Sequence, residues 1–357
     1  MPGLAPDDVV ATHEQAAGNA RPPLLVLEPL RAFLDAHGLG AGEIDAEPIG
    51  EGRSNVTFLL RREGAEMVLR RPPRPPWPPS AHDVLREARL LRALAPAGVR
   101  VPRVLAVGHD DAIIGAPFYV MQRLHGSVVT DALPPALDSP AERRNMAESL
   151  LRGLVEIHAV DPASPGLEGF GRPTGYLERQ LRRWGGLWEH NRTRELPDFD
   201  AAGAWLAEHV PQSPPSTVVH GDYRLGNVMF ADEAPARLVG VFDWEMATIG
   251  DPLADLGYLL MTWSEAGDPP RRFELAPVTR LQGFPSREEL VARYEELSGR
   301  RAGDIRWYTA LAYWKATVFM EGNYRRAVEG RTDDPYLRGF GDGVAELAAR
   351  ARELTGA

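Results

Sequence analysis

The stretch VVHGDYRLGNVMF, residues 218–230, decides the fold of this chain. Two apolar runs enclose a polar loop that contains Asp222 and Asn227, a pattern that predicts a strand, a loop and a returning strand. The stretch LVGVFDWEMATIGDPLADLGYLL, residues 238–260, supplies a further strand that ends at Asp243. The three oxygen-bearing side chains are therefore expected at one end of a small sheet.

These three side chains are candidates for metal and proton chemistry. Hard divalent cations such as Mg²⁺ bind a few carboxylate or amide oxygens together with phosphate oxygens, and Asn227 and Asp243 can provide such oxygens. Asp222 is then free to accept a proton. Asp222 is the candidate catalytic residue, and Asn227 and Asp243 are the candidate metal ligands.

The composition limits the classes of function. The 357 residues have a formal net charge of −10, which argues against nucleic-acid binding, since phosphate contacts need a net basic face. The absence of cysteine excludes thiolate metal sites and a thiol nucleophile. No apolar stretch reaches the roughly 18 residues of a membrane span, so a cytoplasmic protein without a membrane partner is expected.

The spacing H-x-D-x-x-x-x-N, followed by a strand that ends in aspartate, resembles the catalytic and metal-binding loops of the protein-kinase-like superfamily. More narrowly, HGDYRLGN, DWE at 243–245 and GDPLADL at 250–256 resemble the aminoglycoside phosphotransferase and choline kinase family. The segments EGRSN, VLRRPP, SAHDVLREARLL, IGAPFYVM and YLERQLRRW are similar to the kinase-like domain fused to acyl-CoA dehydrogenases. The resemblance spans about residues 48–328.

The resemblance implies an α+β, bilobal protein-kinase-like fold, with a small antiparallel-sheet N-lobe and a mainly helical C-lobe. We expect the N-lobe over residues 23–125 and the C-lobe over residues 126–357, after a polar tail over residues 1–22. The implied activity is transfer of the γ-phosphate of ATP to a hydroxyl group of a small-molecule acceptor, with ATP and Mg²⁺ as cofactors.

Periodicity predicts the elements of both lobes. In the N-lobe we expect a helix over Leu24–His37, hairpin strands at Val56–Leu60 and Met67–Leu69, a helix from Ser80 to Ala95, and two strands within Pro102–Met121. In the C-lobe we expect helices at 141–160, 175–191, 200–209, 286–298 and 304–328, and a strand pair formed by Val218–Phe230 and Leu238–Phe242.

A glycine-rich turn precedes the predicted strand at Val56. By the resemblance, this turn covers the nucleotide phosphates, and its candidate binding residues are Gly50, Gly52, Ser54 and Asn55. Glycine, serine and asparagine suit a tight turn between strands.

Arg70 and Glu87 are expected to form an ion pair. Glu87 lies on the apolar face of its predicted helix, where a carboxylate is costly unless it is paired. The alternative is a helix edge from which the side chain reaches solvent. By the resemblance, Arg70 lies where kinases keep the lysine that binds this glutamate and the phosphates. Lys315, the only lysine, lies outside the matched positions, so the phosphate anchor must be an arginine.

Met121, Gln122 and Leu124 correspond to the hinge of the resembled kinases. Backbone groups of Gln122 and Leu124 could meet adenine, and Met121 could border its pocket. A plain strand-to-helix connection is the alternative.

Two further residues of the motifs are expected to be structural. In the resembled fold His220 orients the loop, and Asp255 forms hydrogen bonds with the catalytic loop, so neither is expected to act as the base.

The segment over residues 176–196 is the candidate acceptor region. It is net basic, with Trp184 and Trp188 among the arginines Arg179, Arg182, Arg183, Arg192 and Arg194. Most of these arginines are expected to be solvated on an amphipathic helix. A cationic aminoglycoside would need acidic walls, so this segment and the resemblance favour a hydroxyacyl or other anionic acceptor.

Three other functions compete with small-molecule phosphotransfer. A nucleotide-binding pseudokinase is suggested by the arginine at position 70, but Asp222, Asn227 and Asp243 are all present. A metallohydrolase that uses His220 and Asp222 lacks a second ligand cluster. A protein kinase is disfavoured because DWE replaces D-F-G and A-P-E is absent.

Overall fold

In the computed structural model, which describes residues 6–50, 55–77, 82–331 and 335–356, the chain divides into two units, Met1–His125 and Gly126–Ala357. None of the helices in these ranges has the length and apolar character that crossing a membrane requires.

The first unit is built on an antiparallel sheet. Its strands are β1 (Val9–Val10), β2 (Leu25–Val26), β3 (Ala41–Pro48), β4 (Val56–Glu63), β5 (Ala65–Arg71), β6 (Val104–Gly108) and β7 (Phe118–Gln122). Its helices are α1 (His13–Ala17), α2 (Leu27–Ala36), α3 (Val84–Leu94) and α4 (Asp111–Ile114). The five strands β3 to β7 form one sheet of order β3-β4-β5-β7-β6, in which every neighbouring pair is antiparallel.

The core of this unit lies between the sheet and α2. Leu30 and Leu34 on α2 share one buried cluster with Phe58 and Leu60 on β4 and Leu69 on β5. Successive side chains of a strand point to opposite faces of the sheet. Alternate residues of β4 and β5 therefore lie on one face of the hairpin, and this face packs in the buried cluster.

Arg71, the last residue of β5, is buried and has the carbonyl groups of Leu24, Pro72 and Ile114 as hydrogen-bond acceptors. Burial lowers the pKa of Arg71 to about 10. The guanidinium remains cationic, so its hydrogen bonds to these carbonyls are charge-assisted. Through them Arg71 holds the segments at Leu24 and Ile114 against β5, the strand that also contains Arg70.

The segment predicted to be a tail contains ordered structure from Pro6 onward. Val9 pairs with Leu25 in a parallel ladder, and the N–H of Leu24 donates to the carbonyl oxygen of Asp8 at 2.7 Å. Leu25 and its neighbour are therefore extended, and helix α2 begins only at Leu27. The expectation of a helix from Leu24 is wrong at its first turn for this reason.

Two further differences concern elements with charged sequences. Strand β3 was not expected, because the acidic residues Glu43, Asp45 and Glu47 alternate along it. In the structure Arg61 on β4 forms ion pairs with Asp45 and Glu47. Helix α3 begins after Asp83, whose side chain accepts from the N–H of Arg86 at 2.9 Å. Ser80, at which the helix was expected to begin, lies outside the described residues.

The second unit is mainly helical. Its helices are α5 (Pro140–His158), α6 (Tyr176–Asn191), α7 (Pro197–Glu208), α8 (Leu253–Thr262), α9 (Arg287–Ser298), α10 (Ile305–Val328), α11 (Pro335–Arg338) and α12 (Phe340–Thr355). Its strands are β8 (Thr217–Val219), β9 (Val228–Phe230), β10 (Leu238–Val241) and β11 (Thr248–Gly250). The five helices predicted for this part of the chain are confirmed.

The predicted strand pair resolves into two small sheets. β9 pairs with β10 as expected, whereas β8 pairs with β11. The expectation that Val218–Phe230 pairs with Leu238–Phe242 is therefore wrong for β8, because the polar loop turns the chain between β8 and β9.

Helix α10 is the centre of the second unit, where it packs against α6, α7, α8 and α12. Helix α8 approaches it closely at Gly257, where a Cβ atom would lie 2.6 Å from the backbone carbonyl carbon of Tyr308. The absence of a side chain at Gly257 lets the two helices approach at this point.

Candidate active site

The predicted catalytic loop, which contains Asp222, connects β8 to β9 and begins with His220 and Gly221. Gly221 has a φ of 84°, in the left-handed region that favours glycine, and a Cβ there would lie 2.8 Å from the carbonyl oxygen of Met246. The turn brings Asp222 to the end of the strand, in the position that the motif predicts.

Asp255 on α8 holds this turn in place. Its Oδ2 accepts from the backbone N–H of His220 at 2.6 Å, and its Oδ1 accepts from the N–H of Gly221 at 2.7 Å. Burial raises the pKa of Asp255, but the hydrogen bond and charge of His158 outweigh burial and leave the pKa below its usual value. The expected structural role of Asp255 is confirmed.

His220 is also structural. Its Nδ1 lies 3.2 Å from the backbone nitrogen of Asp222, which donates, and its Nε2 lies 2.8 Å from the carbonyl oxygen of Phe242. Because Nδ1 accepts the hydrogen bond from the backbone N–H of Asp222, the ring proton must be on Nε2, which donates to the carbonyl oxygen of Phe242. A ring with both nitrogens engaged in this way orients the loop and is not available as a base, as predicted.

Asp222 and Asn227 lie in direct contact. Nδ2 of Asn227 donates to Oδ2 of Asp222 at 2.7 Å and to its carbonyl oxygen at 2.8 Å. Because the amide nitrogen faces Asp222, the amide oxygen of Asn227 is the atom that can reach a metal ion.

The other carboxylate oxygen of Asp222 is the reactive candidate. Oδ1 is buried and accepts no hydrogen bond from any described residue, although Nε of Arg224 lies 3.4 Å away. A buried oxygen without a hydrogen-bond donor is costly, so it is suited to accept from an incoming hydroxyl group. Burial and the negative charge of Asp222 together raise the pKa of Tyr258 on α8 well above its usual value.

Asp243 follows β10 with φ 62° and ψ 61°, a left-handed conformation that residues other than glycine seldom adopt. The N–H of Phe242 donates to the carbonyl oxygen of Asn227 at 2.9 Å, and Val241 pairs with Val228. The structure therefore brings the two candidate metal ligands, Asn227 and Asp243, to neighbouring strand ends.

These two residues fit a magnesium ion that is shared with phosphate. Within the described ranges, no group of three or more His, Cys, Asp or Glu side chains is arranged to hold a metal ion. One amide oxygen and one carboxylate leave most of an octahedral shell to phosphate oxygens and water, which is how Mg²⁺ is usually bound at nucleotide sites.

In the first unit, Arg70 on β5 and Glu87 on α3 form the predicted ion pair. Nε of Arg70 lies 2.9 Å from Oε2 of Glu87, and the side chain of Glu87 is only 3% exposed. The pairing is confirmed, and the alternative of a solvated glutamate at a helix edge is wrong. The ion pair holds the guanidinium of Arg70 beside α3, near the end of β5.

Two residues of the glycine-rich turn are described. Gly50 has a φ of 80°, and Oδ1 of buried Asn55 lies 3.2 Å from Nδ1 of His82. Burial and the charge of Arg70 lower the pKa of His82. Gly52 and Ser54 lie outside the described residues. His82 was not anticipated, because nothing in the sequence links it to a residue 27 positions earlier.

The predicted hinge residues follow from β7. Met121 is buried, Leu124 is half-buried, and the N–H of Gln122 donates to the carbonyl oxygen of Arg103 at 2.8 Å. The N–H of Gln122 is thus engaged within the first unit, and the expected contact of these residues with adenine stays a prediction.

The arginines of the candidate acceptor segment fall into two groups. Arg179 donates to backbone carbonyls, Arg192 forms ion pairs with Glu189 and Glu195, and Arg194 binds buried Glu321. The expectation that most of the five are merely solvated is wrong for these three. Arg182 and Arg183 are exposed.

Sequence reasoning missed Arg224 and Tyr258. Arg224 lies two positions after Asp222, and Tyr258 lies one helical turn after Asp255. This closeness to motif residues is the signal in the sequence that could have indicated them.

Comparisons with known proteins identify relatives over most of the chain. Acyl-CoA dehydrogenase family member 10 of Mus musculus is 34% identical over 325 residues, which cover 89% of this chain and 30% of the relative. Acyl-CoA dehydrogenase family member 11 of Homo sapiens is 31% identical over 336 residues, which cover 91% of this chain and 42% of the relative. The chain thus spans well under half the length of these relatives.

Solved structures share the fold. A Ralstonia eutropha protein classed with the aminoglycoside phosphotransferases is 32% identical, with a TM-score of 0.80 over 92% of this chain and 98% of that one. A variant of aminoglycoside phosphotransferase APH(4)-Ia, solved with AMP-PNP and hygromycin B, is 20% identical, with a TM-score of 0.57 over 90% of this chain and 99% of that one. The predicted α+β, bilobal kinase-like fold is confirmed.

A sequence model described as the phosphotransferase enzyme family matches residues 45–294, the range that contains the catalytic loop, Asp243 and the Arg70–Glu87 pair. The chain therefore belongs to this phosphotransferase family, as the resemblance of its motifs predicted.

Proposed function

We propose that the protein transfers the γ-phosphate of ATP, in the presence of Mg²⁺, to a hydroxyl group of a small molecule. The observation that carries the proposal is the geometry at Asp222. Asn227 fixes one carboxylate oxygen, and the other is buried without a hydrogen-bond donor among the described residues. A carboxylate held in this way can accept a hydroxyl proton without first rearranging.

In the proposed reaction the acceptor oxygen forms a bond to the γ-phosphorus as the bond to the bridging oxygen of ADP breaks. ADP leaves with that electron pair, and the hydroxyl proton passes to Oδ1 of Asp222. Asn227 and Asp243 would hold Mg²⁺, which supplies positive charge that offsets the phosphate oxygens. Arg224 would balance the charge of Asp222 before the proton arrives.

The nucleotide would be bound by the first unit. Arg70, oriented by Glu87, would contact the phosphates together with Gly50, Gly52, Ser54 and Asn55, and the hinge residues 121–124 would receive adenine. Solved neighbours of the same fold contain AMP-PNP or ADP, which supports a nucleotide site. The ion pair also weakens the pseudokinase alternative, since arginine forms the contact for which kinases use lysine.

We propose a hydroxyacyl or other anionic compound as the acceptor, and not an aminoglycoside. Exposed Arg182 and Arg183 would repel a polycationic antibiotic. The relatives named as acyl-CoA dehydrogenase family members favour an acyl compound. A relative named viomycin phosphotransferase, 30% identical over 50% of this chain, keeps cationic acceptors within the test.

The test is an acceptor screen that measures ADP formation, with hydroxy acids, their thioesters, neutral alcohols and aminoglycosides. Acceptor-dependent ADP release is expected with at least one hydroxy compound, and Asp222→Asn should lower it by about 10²- to 10⁴-fold while nucleotide binding is retained. Normal turnover by Asp222→Asn, or ADP release that needs no acceptor, would contradict the assignment.

A further inference from the structure

Arg224 lies in the catalytic loop, two residues after Asp222. Its backbone has φ −161° and ψ 167°, an extended conformation in which successive side chains point to opposite sides. Its neighbours Tyr223 and Leu225 are both buried, and the hydroxyl group of Tyr223 donates to the carbonyl oxygen of Leu150 at 2.7 Å. The side chain of Arg224 therefore points away from this core.

The guanidinium of Arg224 is close to the carboxylate of Asp222 without being hydrogen-bonded to it. Nε of Arg224 lies 3.4 Å from Oδ1 of Asp222, and this buried oxygen has no hydrogen-bond donor within the described ranges. No residue in those ranges accepts a hydrogen bond from Arg224 either, although its side chain is only 23% exposed. A guanidinium so far withdrawn from water is costly unless its N–H groups are hydrogen-bonded. The loop thus holds unused donors beside an unused acceptor.

Gly226 leaves the space that this guanidinium occupies. A Cβ atom at position 226 would collide with Nη1 of Arg224 and would lie 3.4 Å from Cγ2 of Thr130. The φ of Gly226 is not in the positive region, so conformational freedom does not explain the glycine. The missing side chain is instead what allows the guanidinium to pack on the loop beside Asp222.

A pair that only stabilises the loop does not explain this arrangement. Asn227 already fixes the other carboxylate oxygen and the backbone carbonyl of Asp222, and Asp255 holds the turn before it. A structural arginine would also be expected to use its donors on the carboxylate or on backbone carbonyls, and Arg224 does neither. Its donors are therefore available to a group that arrives during the reaction.

The proposed reaction brings such a group to this place. The acceptor hydroxyl would donate to Oδ1 of Asp222 at about 2.7 Å, the usual length of such a bond, and its oxygen would then bond to phosphorus. The other oxygens of the phosphoryl group would therefore come within a few ångströms of Oδ1, as Nε of Arg224 is already. Arginine binds phosphate oxygens through two parallel N–H···O bonds.

We propose that Arg224 is a second catalytic residue of the loop and binds the oxygens of the phosphoryl group as it reaches the acceptor. This inference rests on the proposed function and deepens it. The acceptor oxygen bonds to phosphorus, ADP leaves with the electron pair of the broken bond, and the hydroxyl proton neutralises Asp222. Arg224 thereby exchanges the carboxylate for the new phosphate ester, so the cation has an anionic partner before and after transfer.

The test compares an unphosphorylated acceptor with its phosphate ester. The acceptor is the hydroxy compound that releases ADP fastest in the acceptor screen, and calorimetry without nucleotide measures the Kd of its ester. In Arg224→Met, which loses the guanidinium, this Kd should rise by about 10- to 100-fold, the loss expected for charge-assisted hydrogen bonds. kcat should fall by about 10²- to 10³-fold, the effect of removing a donor to developing charge. The KM values for the acceptor and for ATP should change by less than about threefold.

Gly226→Ala tests the position of the guanidinium separately from its presence. The atom that the new Cβ displaces is the end of a flexible side chain, so the melting temperature should stay close to that of the wild type. The affinity for the ester and kcat should fall, as in Arg224→Met. In the Arg224→Met background Gly226→Ala should have no further effect, because the displaced atom is absent.

Two more variants complete the comparison. Arg224→Lys keeps the cation without the planar fork and should recover part of the affinity for the ester. Arg326→Met removes an exposed arginine of α10 and is the control that should leave all constants unchanged.

Several results would overturn the inference while leaving the proposed function intact. An unchanged Kd for the ester in Arg224→Met, with or without a loss of kcat, would mean that Arg224 does not bind the phosphoryl group. A KM for the acceptor that rises as much as the Kd for its ester would mean that Arg224 binds another part of the acceptor. A higher KM for ATP would mean that it binds the nucleotide. Failure of the wild type to phosphorylate any hydroxyl compound would instead remove the proposed function, and this inference with it.

Discussion

Asp243 combines a backbone conformation typical of glycine with a side chain that the proposed metal site requires. Its φ of 62° and ψ of 61° are sterically unfavourable for a residue with a Cβ atom. Strained residues persist where the surrounding structure enforces them, and they cluster at active sites. The ladder between β9 and β10 supplies that constraint here, since it fixes Phe242 against Asn227.

Asp243→Gly should separate stability from function. Glycine adopts this conformation without strain, so the free energy of unfolding should rise by about 1 kcal/mol in urea titrations. Mg²⁺-dependent nucleotide binding, measured by calorimetry with and without the metal, should be lost. Asp243→Asn is the control, because asparagine tolerates the left-handed region and should leave stability unchanged. Metal-dependent binding by Asp243→Gly at the wild-type level would contradict the assignment of Asp243.

At the scale of elements, the helices of the second unit could be predicted because large apolar side chains recur along them with the helical period. Helix α12 escaped prediction because much of its buried face consists of small residues, among them Gly341, Gly343 and Ala348. Strand β3 escaped because its charged residues are paired across the sheet and do not alternate with large apolar ones.

The site shows the same division between local and long-range information. Asp222, Asn227 and Asp243 could be placed from the sequence because one loop and the following strand position all of them. Glu87 could be paired because a carboxylate on an apolar helix face demands a partner. The contact between Lys315 on α10 and Trp184 on α6 joins two distant segments of the chain, and no local pattern reports such contacts.

The contact between α8 and α10 should not tolerate a side chain at Gly257. Gly257→Ala would place a Cβ 2.6 Å from the backbone of Tyr308, which cannot move aside as a flexible side chain can. Overpacking of this kind costs about 1–3 kcal/mol, and the free energy of unfolding should fall by that amount.

The matched control is Gly186→Ala on α6, an exposed helical glycine at which a Cβ would meet no atom within 4 Å. It should stabilise the protein by about 0.8–1 kcal/mol, the difference in helix propensity. Similar melting temperatures for the two alanine variants would show that α10 is free to move away from α8.

At the scale of the whole molecule, the net charge of −10 includes carboxylates that the folded state keeps ionised. The clearest is Asp268, in the segment between α8 and α9, which accepts from the N–H of Glu265 and forms ion pairs with Arg271 and Arg287. Burial raises the pKa of Asp268, but the hydrogen bonds from Arg287 and Glu265 outweigh burial and lower the pKa to about 2.

This carboxylate should contribute to acid unfolding of the second unit. Because its pKa is lower in the folded state, Asp268 contributes stability above its ordinary pKa of 3.8, and that contribution is lost as pH falls towards about 2. Free energies of unfolding measured across this range should therefore decrease, and Asp268→Asn should decrease less steeply. An identical slope for the variant would mean that other groups control the acid limb.

The presence of a single lysine also gives the protein an unusual covalent reactivity. Amine-acylating reagents attack only the uncharged form, and near pH 8 about half of Lys315 is uncharged, whereas an ordinary lysine with a pKa of 10.5 is almost wholly protonated. One side-chain amine can thus take a fluorophore or a fluorinated tag without any engineered residue. The natural sequence supplies its own spectroscopic reporter, on the helix that packs against α6 and α8.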